Sequence, residues 1–155
     1  WEAIGVETEL RNIDSAVFFG GDPASPDTYG KFYADIEMYT NTFDGTDPES
    51  YMGNWVCAEV SGPENQWLGN NIPRWCENGN AEYQALVDEM AETADLGRRA
   101  ELGKAMNDMI VQDYAMIPLI WRGDVSGVQN NLLGVRFNVW DSELWNVADW
   151  SRSGQ

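Results

Sequence analysis

The sequence predicts a mixed α/β fold, and three patterns along the chain carry this prediction. Residues 5–13 alternate between apolar and polar side chains, which is the period of a half-buried strand. After Asn80, apolar side chains recur at three- and four-residue spacing, as in amphipathic helices. Short runs at 116–121 and 135–140 are typical of further strands. Together the patterns predict a mixed sheet with flanking helices.

The first part of the chain is predicted to hold two strands separated by a loop. Residues 1–6 are typical of a helix end that leads into the first strand, because Gly5 is a common helix stop. The stretch 20–27 is dense in Gly and Pro and predicts a surface loop. A short helical turn at 29–33 then precedes a second alternating run at 35–42, which predicts the second strand.

Two amphipathic helices are predicted after the irregular segment 44–80. Asn80 and Asp95 are suitable N-caps for these two helices. The apolar stripe of the first helix consists of Tyr83, Leu86, Val87 and Met90. The stripe of the second consists of Leu102, Met106, Met109 and Ile110. The second helix is expected to continue until Pro118, whose ring forbids continuation.

The composition argues against two classes of partner. The chain has 26 acidic and 9 basic residues, a net charge of -17, so it lacks the basic cluster that nucleic-acid phosphates require. It has no apolar run near the roughly 18 residues that cross a bilayer, so no membrane insertion is expected. The acidity indicates either attraction of cationic ligands or a solvated surface suited to a salty habitat, and the second is favoured.

The sequence lacks the residues and motifs that most common types of enzyme catalysis require. Without histidine, Ser-His-Asp and Cys-His catalysis are excluded, and two cysteines are too few for the usual zinc sites. No phosphate loop or dinucleotide fingerprint is present, so no cofactor and no enzyme activity are expected. Asp44 and Asp47 leave a weak hypothesis of an acid-pair glycosidase. The oxygen-rich segment 44–50 hints at calcium but lacks the full ligand spacing, which favours an ordinary Asx turn.

Two cysteines and many aromatic residues leave further alternatives open. Cys57 and Cys76 either form a disulfide, which requires an oxidising compartment, or are two unrelated free thiols in a cytosolic protein. Their even number and their position in a loop favour the bond. Eight Trp and six Tyr residues are expected to lie mostly in the core, although some suit a sugar-stacking surface or the wall of a peptide pocket.

Six short strings occur in a characteristic order: WEAIGVETEL at 1–10, YADIEM at 33–38, TDP at 46–48, NAEYQAL at 80–86, DLGRRAEL at 95–102 and IPLI at 117–120. In this order they resemble the C-terminal part of the periplasmic peptide, dipeptide and nickel solute-binding proteins of ABC importers, the solute-binding protein family 5. The resemblance implies a type II periplasmic-binding-protein fold with two lobes. It further implies that residues 1–117 belong to the second lobe and that 118–155 cross a hinge and pack on the first lobe.

The resemblance also implies the function and the site. It implies a periplasmic, solute-binding protein that captures peptides or similar solutes between its lobes and delivers them to an ABC permease in the inner membrane. Asp44 would bind the α-amino group of the ligand, and Tyr39, Asn41, Thr42 and Phe43 would line the cleft. The family also implies a disulfide between the two cysteines named above. The alternative that the Trp content suggests is a secreted oligosaccharide-binding protein.

Overall fold

The helices of the chain form where apolar periodicity and caps coincide. A computed structural model describes residues 1–41, 46–121, 123, 125–138 and 143–154. Its α-helices are α1 (Ser15–Phe18), α2 (Glu49–Gly53), α3 (Ala81–Glu92) and α4 (Leu96–Gln112). Its strands are β1 (Leu132–Leu133) and β2 (Ser151–Arg152). Within the described residues, no helix is both long enough and apolar enough to cross a membrane.

Short 3-10 turns connect these elements. They are Glu2–Ile4, Tyr29–Lys31, Cys57–Glu59, Pro63–Asn65, Glu77–Gly79 and Val147–Asp149. Gly5 ends the first turn in the left-handed conformation, with φ of 83°, which confirms the predicted helix stop. The turn Tyr29–Lys31 confirms the predicted helical turn after the loop at 20–27.

Helices α3 and α4 confirm the two predicted helices and the cap of the second. Asp95 accepts a hydrogen bond at its Oδ1 from the backbone N–H of Arg98, at 2.8 Å, and thereby satisfies a free amide of the first turn of α4. Helix α4 ends at Gln112, before Pro118, since Tyr114 adopts a left-handed φ of 57° that stops the helical path. The expectation that the helix continues to the proline is therefore wrong.

Asn80 precedes α3 as predicted, but its side chain does not cap the helix. Its backbone is left-handed, with φ of 45° and ψ of 45°, whereas a capping residue usually has extended geometry that points its side chain at the first-turn amides. Its Nδ2 is buried and has no hydrogen-bond partner. The stabilisation expected from this cap is therefore absent.

The core lies where α2, α3 and α4 meet. It consists of Met52, Trp55, Tyr83, Met90, Leu102, Met106 and Ile110, all buried. The Tyr83 hydroxyl donates a hydrogen bond to the carbonyl of Met52 at 2.8 Å, so the one polar atom of this large side chain is satisfied inside the core. Burial of each such apolar side chain contributes about 1.5–3 kcal/mol, which makes this helical cluster the main source of stability in the described chain.

The predicted sheet is reduced to one short ladder. In the described residues, β1 and β2 pair antiparallel, with Leu132 opposite Arg152, and the segments predicted as strands at 5–13, 35–42 and 116–121 form no ladder. The same holds for the described part of 135–140. A strand needs a neighbour to satisfy its backbone groups. The mixed helix and sheet class is thus confirmed, whereas the extended mixed sheet is wrong for the described residues.

Candidate functional site

Two of the five residues predicted to line a ligand cleft fall in the described part of the chain. Tyr39 is 37% exposed, and Asn41 is exposed in the same extended segment. Thr42, Phe43 and Asp44 lie outside the described residues. The geometry around Tyr39 is therefore the part of the predicted site that can be described.

Tyr39 belongs to a group of four aromatic rings, here called the aromatic cluster, together with Phe18, Phe19 and Tyr29. All six ring pairs have centroids between 5.0 and 6.0 Å apart, in tilted or edge-to-face geometry. Each such pair contributes about 0.5–1.5 kcal/mol beyond the area it buries. Since Phe19 is 52% exposed and Tyr39 37% exposed, the aromatic cluster presents one side to solvent.

Local structure places three of the four rings. Asp14 accepts a hydrogen bond at its Oδ1 from the N–H of Ala16 at 2.9 Å and so caps α1. Phe18 is the last residue of α1, and Phe19 is its C-cap. Tyr29 begins the next 3-10 turn. The cluster therefore forms where a capped turn of helix, a second turn and the segment that holds the predicted site meet.

Glu37 precedes Tyr39 of the aromatic cluster by two residues, and its partly buried carboxyl group has few interactions that would stabilise a negative charge. Its Oε2 atom is buried and has no hydrogen-bond partner. Burial raises the pKa of its carboxyl group from 4.5 to about 7, although the positive charge of Arg74 opposes that rise. The pKa of Tyr39 is raised to about 12, first by burial and then by the negative charge of Glu37. Near neutral pH the Glu37 carboxyl is therefore divided between its neutral and charged forms.

This pKa predicts a pH-dependent effect of the Glu37→Gln substitution. A folded-state pKa of about 7, above the unfolded value, makes protonated Glu37 stabilising, and this contribution is lost as the pH rises through about 7. Gln mimics the neutral form. We expect the variant to match the wild type near about pH 5 and to exceed its free energy of unfolding by about 1 kcal/mol near about pH 8, after solvent screening.

Urea denaturation of both proteins over this pH range measures the effect. The exposed Asp35 provides the control, because the same amide substitution there should give no growing difference. A constant difference between Glu37→Gln and the wild type from acid to alkaline pH would contradict the raised pKa.

The segment 57–76 is closed by the disulfide that the family resemblance implied. Cys57 and Cys76 are bonded, with their Cα atoms 5.2 Å apart. Inside the segment, Val60 and Asn71 form an isolated parallel bridge. This cross-link holds a stretch that has little regular structure of its own.

Asn71 organises the interior of this segment. It is fully buried, and its Oδ1 accepts a hydrogen bond from the N–H of Trp75 at 2.9 Å. Its Nδ2 donates to the backbone carbonyls of Trp55, Val56 and Trp75, at 3.1, 3.3 and 3.0 Å. One amide side chain thus satisfies three backbone groups, the carbonyls of Trp55 and Trp75 and the N–H of Trp75, while the Val56 carbonyl also accepts from the Glu59 N–H.

The same segment supports the turn that carries Tyr29. Arg74 donates from Nη2 to the carbonyl of Lys31 at 2.8 Å, and Ser61 donates from Oγ to the carbonyl of Gly30 at 2.7 Å. These bonds tie the disulfide segment to the 3-10 turn. The position of the aromatic cluster therefore depends on the disulfide segment as well as on its own ring contacts.

Asp47 is held in an ionic network that follows the predicted site. Arg99 donates from Nε and Nη2 to its two carboxylate oxygens, at 2.8 and 2.6 Å, and to Glu49 at 2.5 Å. The hydrogen bond from Arg99 lowers the pKa of Asp47. Asp47 also accepts from the N–H of Glu49 at 3.0 Å, which confirms the Asx turn predicted in this region. The lowered pKa keeps the Asp47 carboxyl group in its charged form.

Comparison with known proteins gives one informative similarity. Over 77 residues, 49% of its length, the chain is 30% identical to Di/tripeptide-binding protein 1 of Pseudomonas aeruginosa (strain UCBPP-PA14). The match spans 12% of that protein's own length. No protein-family model matches the chain, and no solved structure matches it significantly.

Sequence reasoning missed the aromatic cluster and Glu37. Helix α1 is too short to show periodicity, although Asp14 followed by Ser15 is a recognisable start signal. Alternation placed Glu37 on the same side of the predicted strand as Tyr39, but a charged residue in that pattern is usually solvated. Its partial burial depends on the tertiary structure, which also brings Arg74 near it, and no local pattern shows this.

Proposed function

We propose that this chain is part of the solute-binding component of an ABC importer, which captures peptides or similar small solutes and delivers them to a permease in the inner membrane. The similarity to Di/tripeptide-binding protein 1 carries the proposal. The disulfide between Cys57 and Cys76 supports a periplasmic location, because such bonds persist in oxidising compartments. In this proposal the protein binds and releases its solute and catalyses no reaction.

The proposed lobe organisation has support from the exposed segment after α4. Ile117, Ile120 and Trp121 are 61%, 82% and 90% exposed. Contact with another lobe would remove this apolar surface from water, which fits a boundary between 1–117 and 118–155. The solute would then select a closed arrangement of two lobes by binding between them.

The proposed cleft wall is the segment that carries Tyr39, Asn41, Thr42, Phe43 and Asp44. Asp44 would bind the α-ammonium group of a peptide, since charge-assisted hydrogen bonds are about twice as strong as neutral ones. Tyr39 supports the assignment, because its half-exposed ring lies at the solvent side of the aromatic cluster. An aromatic wall with a few polar groups is common in small-ligand sites.

Calorimetry of the full-length protein with di- and oligopeptides tests the anchor. The substitution Asp44→Ala is expected to weaken dipeptide binding by about tenfold to a hundredfold, the range of a hydrogen bond to a charged group. Asp35→Ala, at an exposed position of the same segment, is the matched control and should leave affinity unchanged. An N-acetylated dipeptide should bind weakly to the wild type and be insensitive to Asp44→Ala. Equal affinity of the Asp44 variant and the wild type would reject the anchor.

The half-exposed aromatic cluster favours one second candidate, a secreted oligosaccharide-binding protein, because sugars stack on exposed aromatic rings. A thermal-shift screen of peptides against oligosaccharides separates the two functions. Stabilisation by peptides alone supports the importer component. Stabilisation by oligosaccharides alone would replace it with the second candidate.

A further inference from the structure

We propose that Glu37 and the aromatic cluster form a subsite for an alkylammonium or guanidinium group of the solute, such as the basic side chain of a peptide. This inference rests on the proposed function and narrows its substrate class. It concerns a residue different from Asp44, which is assigned to the α-amino end of the ligand. Two independent observations support it.

The first observation is that one carboxylate oxygen of Glu37 has no hydrogen-bond partner among the described residues. Its Oε2 is buried without a hydrogen bond, although the side chain as a whole is only half-buried and reaches solvent. Arg74 is near enough to influence Glu37 electrostatically, but its guanidinium donates to the carbonyls of Lys31 and Ser61 and stacks on Trp67 at 5.5 Å. The Arg74 guanidinium therefore interacts with neutral groups, and Oε2 of Glu37 lacks a hydrogen-bond donor among the described residues.

Other carboxylates near basic residues show what Glu37 lacks. Asp47 receives two hydrogen bonds from Arg99, and Glu89 receives one from Arg98 at 2.7 Å. Both pKa values are lowered by these donors. A buried carboxylate oxygen that lacks a donor is costly, and a donor with a positive charge offsets most of that cost. A basic group of a ligand would supply both a hydrogen-bond donor and a positive charge to Glu37.

The second observation is the ring surface beside this carboxylate. The faces of aromatic rings attract cations that approach within about 6 Å of the ring centre. Tyr39 belongs to the aromatic cluster, follows Glu37 by two residues and has its pKa raised by the charge of Glu37, so the ring and the carboxylate lie near each other. The carboxylate and the exposed part of the rings together fit a basic group on an apolar stem. The net charge of -17 would further attract such a ligand.

The main test compares two dipeptides that differ only in the terminal ammonium group of one side chain. Calorimetry of the full chain near about pH 8 should give about tenfold tighter binding of Ala-Lys than of Ala-norleucine, the size expected for one charge-assisted hydrogen bond. The Glu37→Gln substitution should remove this preference. Asp35→Asn, at an exposed carboxylate of the same segment, should retain it. Equal preference in Glu37→Gln and wild type would overturn the inference while leaving peptide binding intact.

Proton linkage provides a second readout. Ala-Lys should bind more weakly as the pH falls through about 7, because protonation removes the charge of Glu37, whereas binding of Ala-norleucine should change little over that range. A parallel pH profile for the two peptides would count against Glu37.

A third measurement separates the subsite from the proposed function. Phenethylammonium and its uncharged analogue phenethyl alcohol are titrated against the full chain, and the Tyr39 ring is followed by NMR. The ammonium compound alone should shift the ring signal, and Glu37→Gln should abolish the shift. If neither these dipeptides nor the oligopeptides of the first test bind but this shift is present, peptide capture is rejected and the subsite stands. If the shift is absent, or survives Glu37→Gln, the subsite is rejected.

Discussion

Replacement of Cys57 and Cys76 by serine is expected to lower the free energy of unfolding by about 3 kcal/mol. The bond joins residues separated by 19 positions. A cross-link of that span lowers the conformational entropy of the unfolded chain, and this entropy corresponds to about 3 kcal/mol of stability. The bridged segment has a single isolated backbone bridge, so it has little regular structure to hold it when the bond is absent. Loss of the disulfide should therefore also destabilise the bridged segment within the native state.

Urea denaturation of the wild type and of the double serine variant measures this loss. A reducing agent should destabilise the wild type to a similar extent and have no effect on the variant. Near-ultraviolet circular dichroism should also change, because Trp75 lies inside the bridged segment and the Trp55 carbonyl accepts a hydrogen bond from Asn71 of that segment. A loss below about 1 kcal/mol would show that side-chain contacts alone hold the segment.

The second large effect is expected at Asn71. The substitution Asn71→Ala leaves the carbonyls of Trp55 and Trp75 and the N–H of Trp75 without their partner, whereas the Val56 carbonyl keeps its bond from the Glu59 N–H, and should cost about 3 kcal/mol. The cost arises because a buried backbone group that has lost its partner cannot regain a hydrogen bond from water unless the segment opens.

Asn70 is the matched control for this substitution. It is exposed and makes one side-chain hydrogen bond, to Glu59 at 3.0 Å. The same truncation at Asn70 should change the free energy of unfolding by no more than about 0.5 kcal/mol. Chemical denaturation of both variants measures the difference. Similar costs at the two positions would contradict the organising role of Asn71.

The helices were predictable because their signals are local. The spacing of apolar side chains placed Leu102, Met106 and Ile110 in the core, and Asp95 capped its helix through a residue three positions away. Both features depend on neighbours within a few turns of the same helix. Helix ends were less predictable, because α4 stops at a backbone conformation of Tyr114 that its sequence does not demand.

The strands were not predictable from alternation alone. Leu10 and Ile120 lie in segments with the period or apolarity of strands, yet they are 89% and 82% exposed. A strand is completed by a partner, and the described residues supply none for these segments. Similarly, the four aromatic rings meet through contacts between separate parts of the chain. The sequence could therefore not predict which rings surround Tyr39, and the role of Tyr39 in ligand binding stays a prediction.

The hydrogen bonds from Ser61 and Arg74 to the turn that carries Tyr29 make the position of this turn depend on the formation of the disulfide. Thiol oxidation fixes the segment that makes these bonds, and the turn in turn positions the Tyr29 ring of the aromatic cluster. We therefore expect the aromatic cluster to be incompletely ordered in a freshly synthesised, reduced chain and to become ordered on oxidation. Under the proposed function, solute capture would begin only after the chain has reached an oxidising environment.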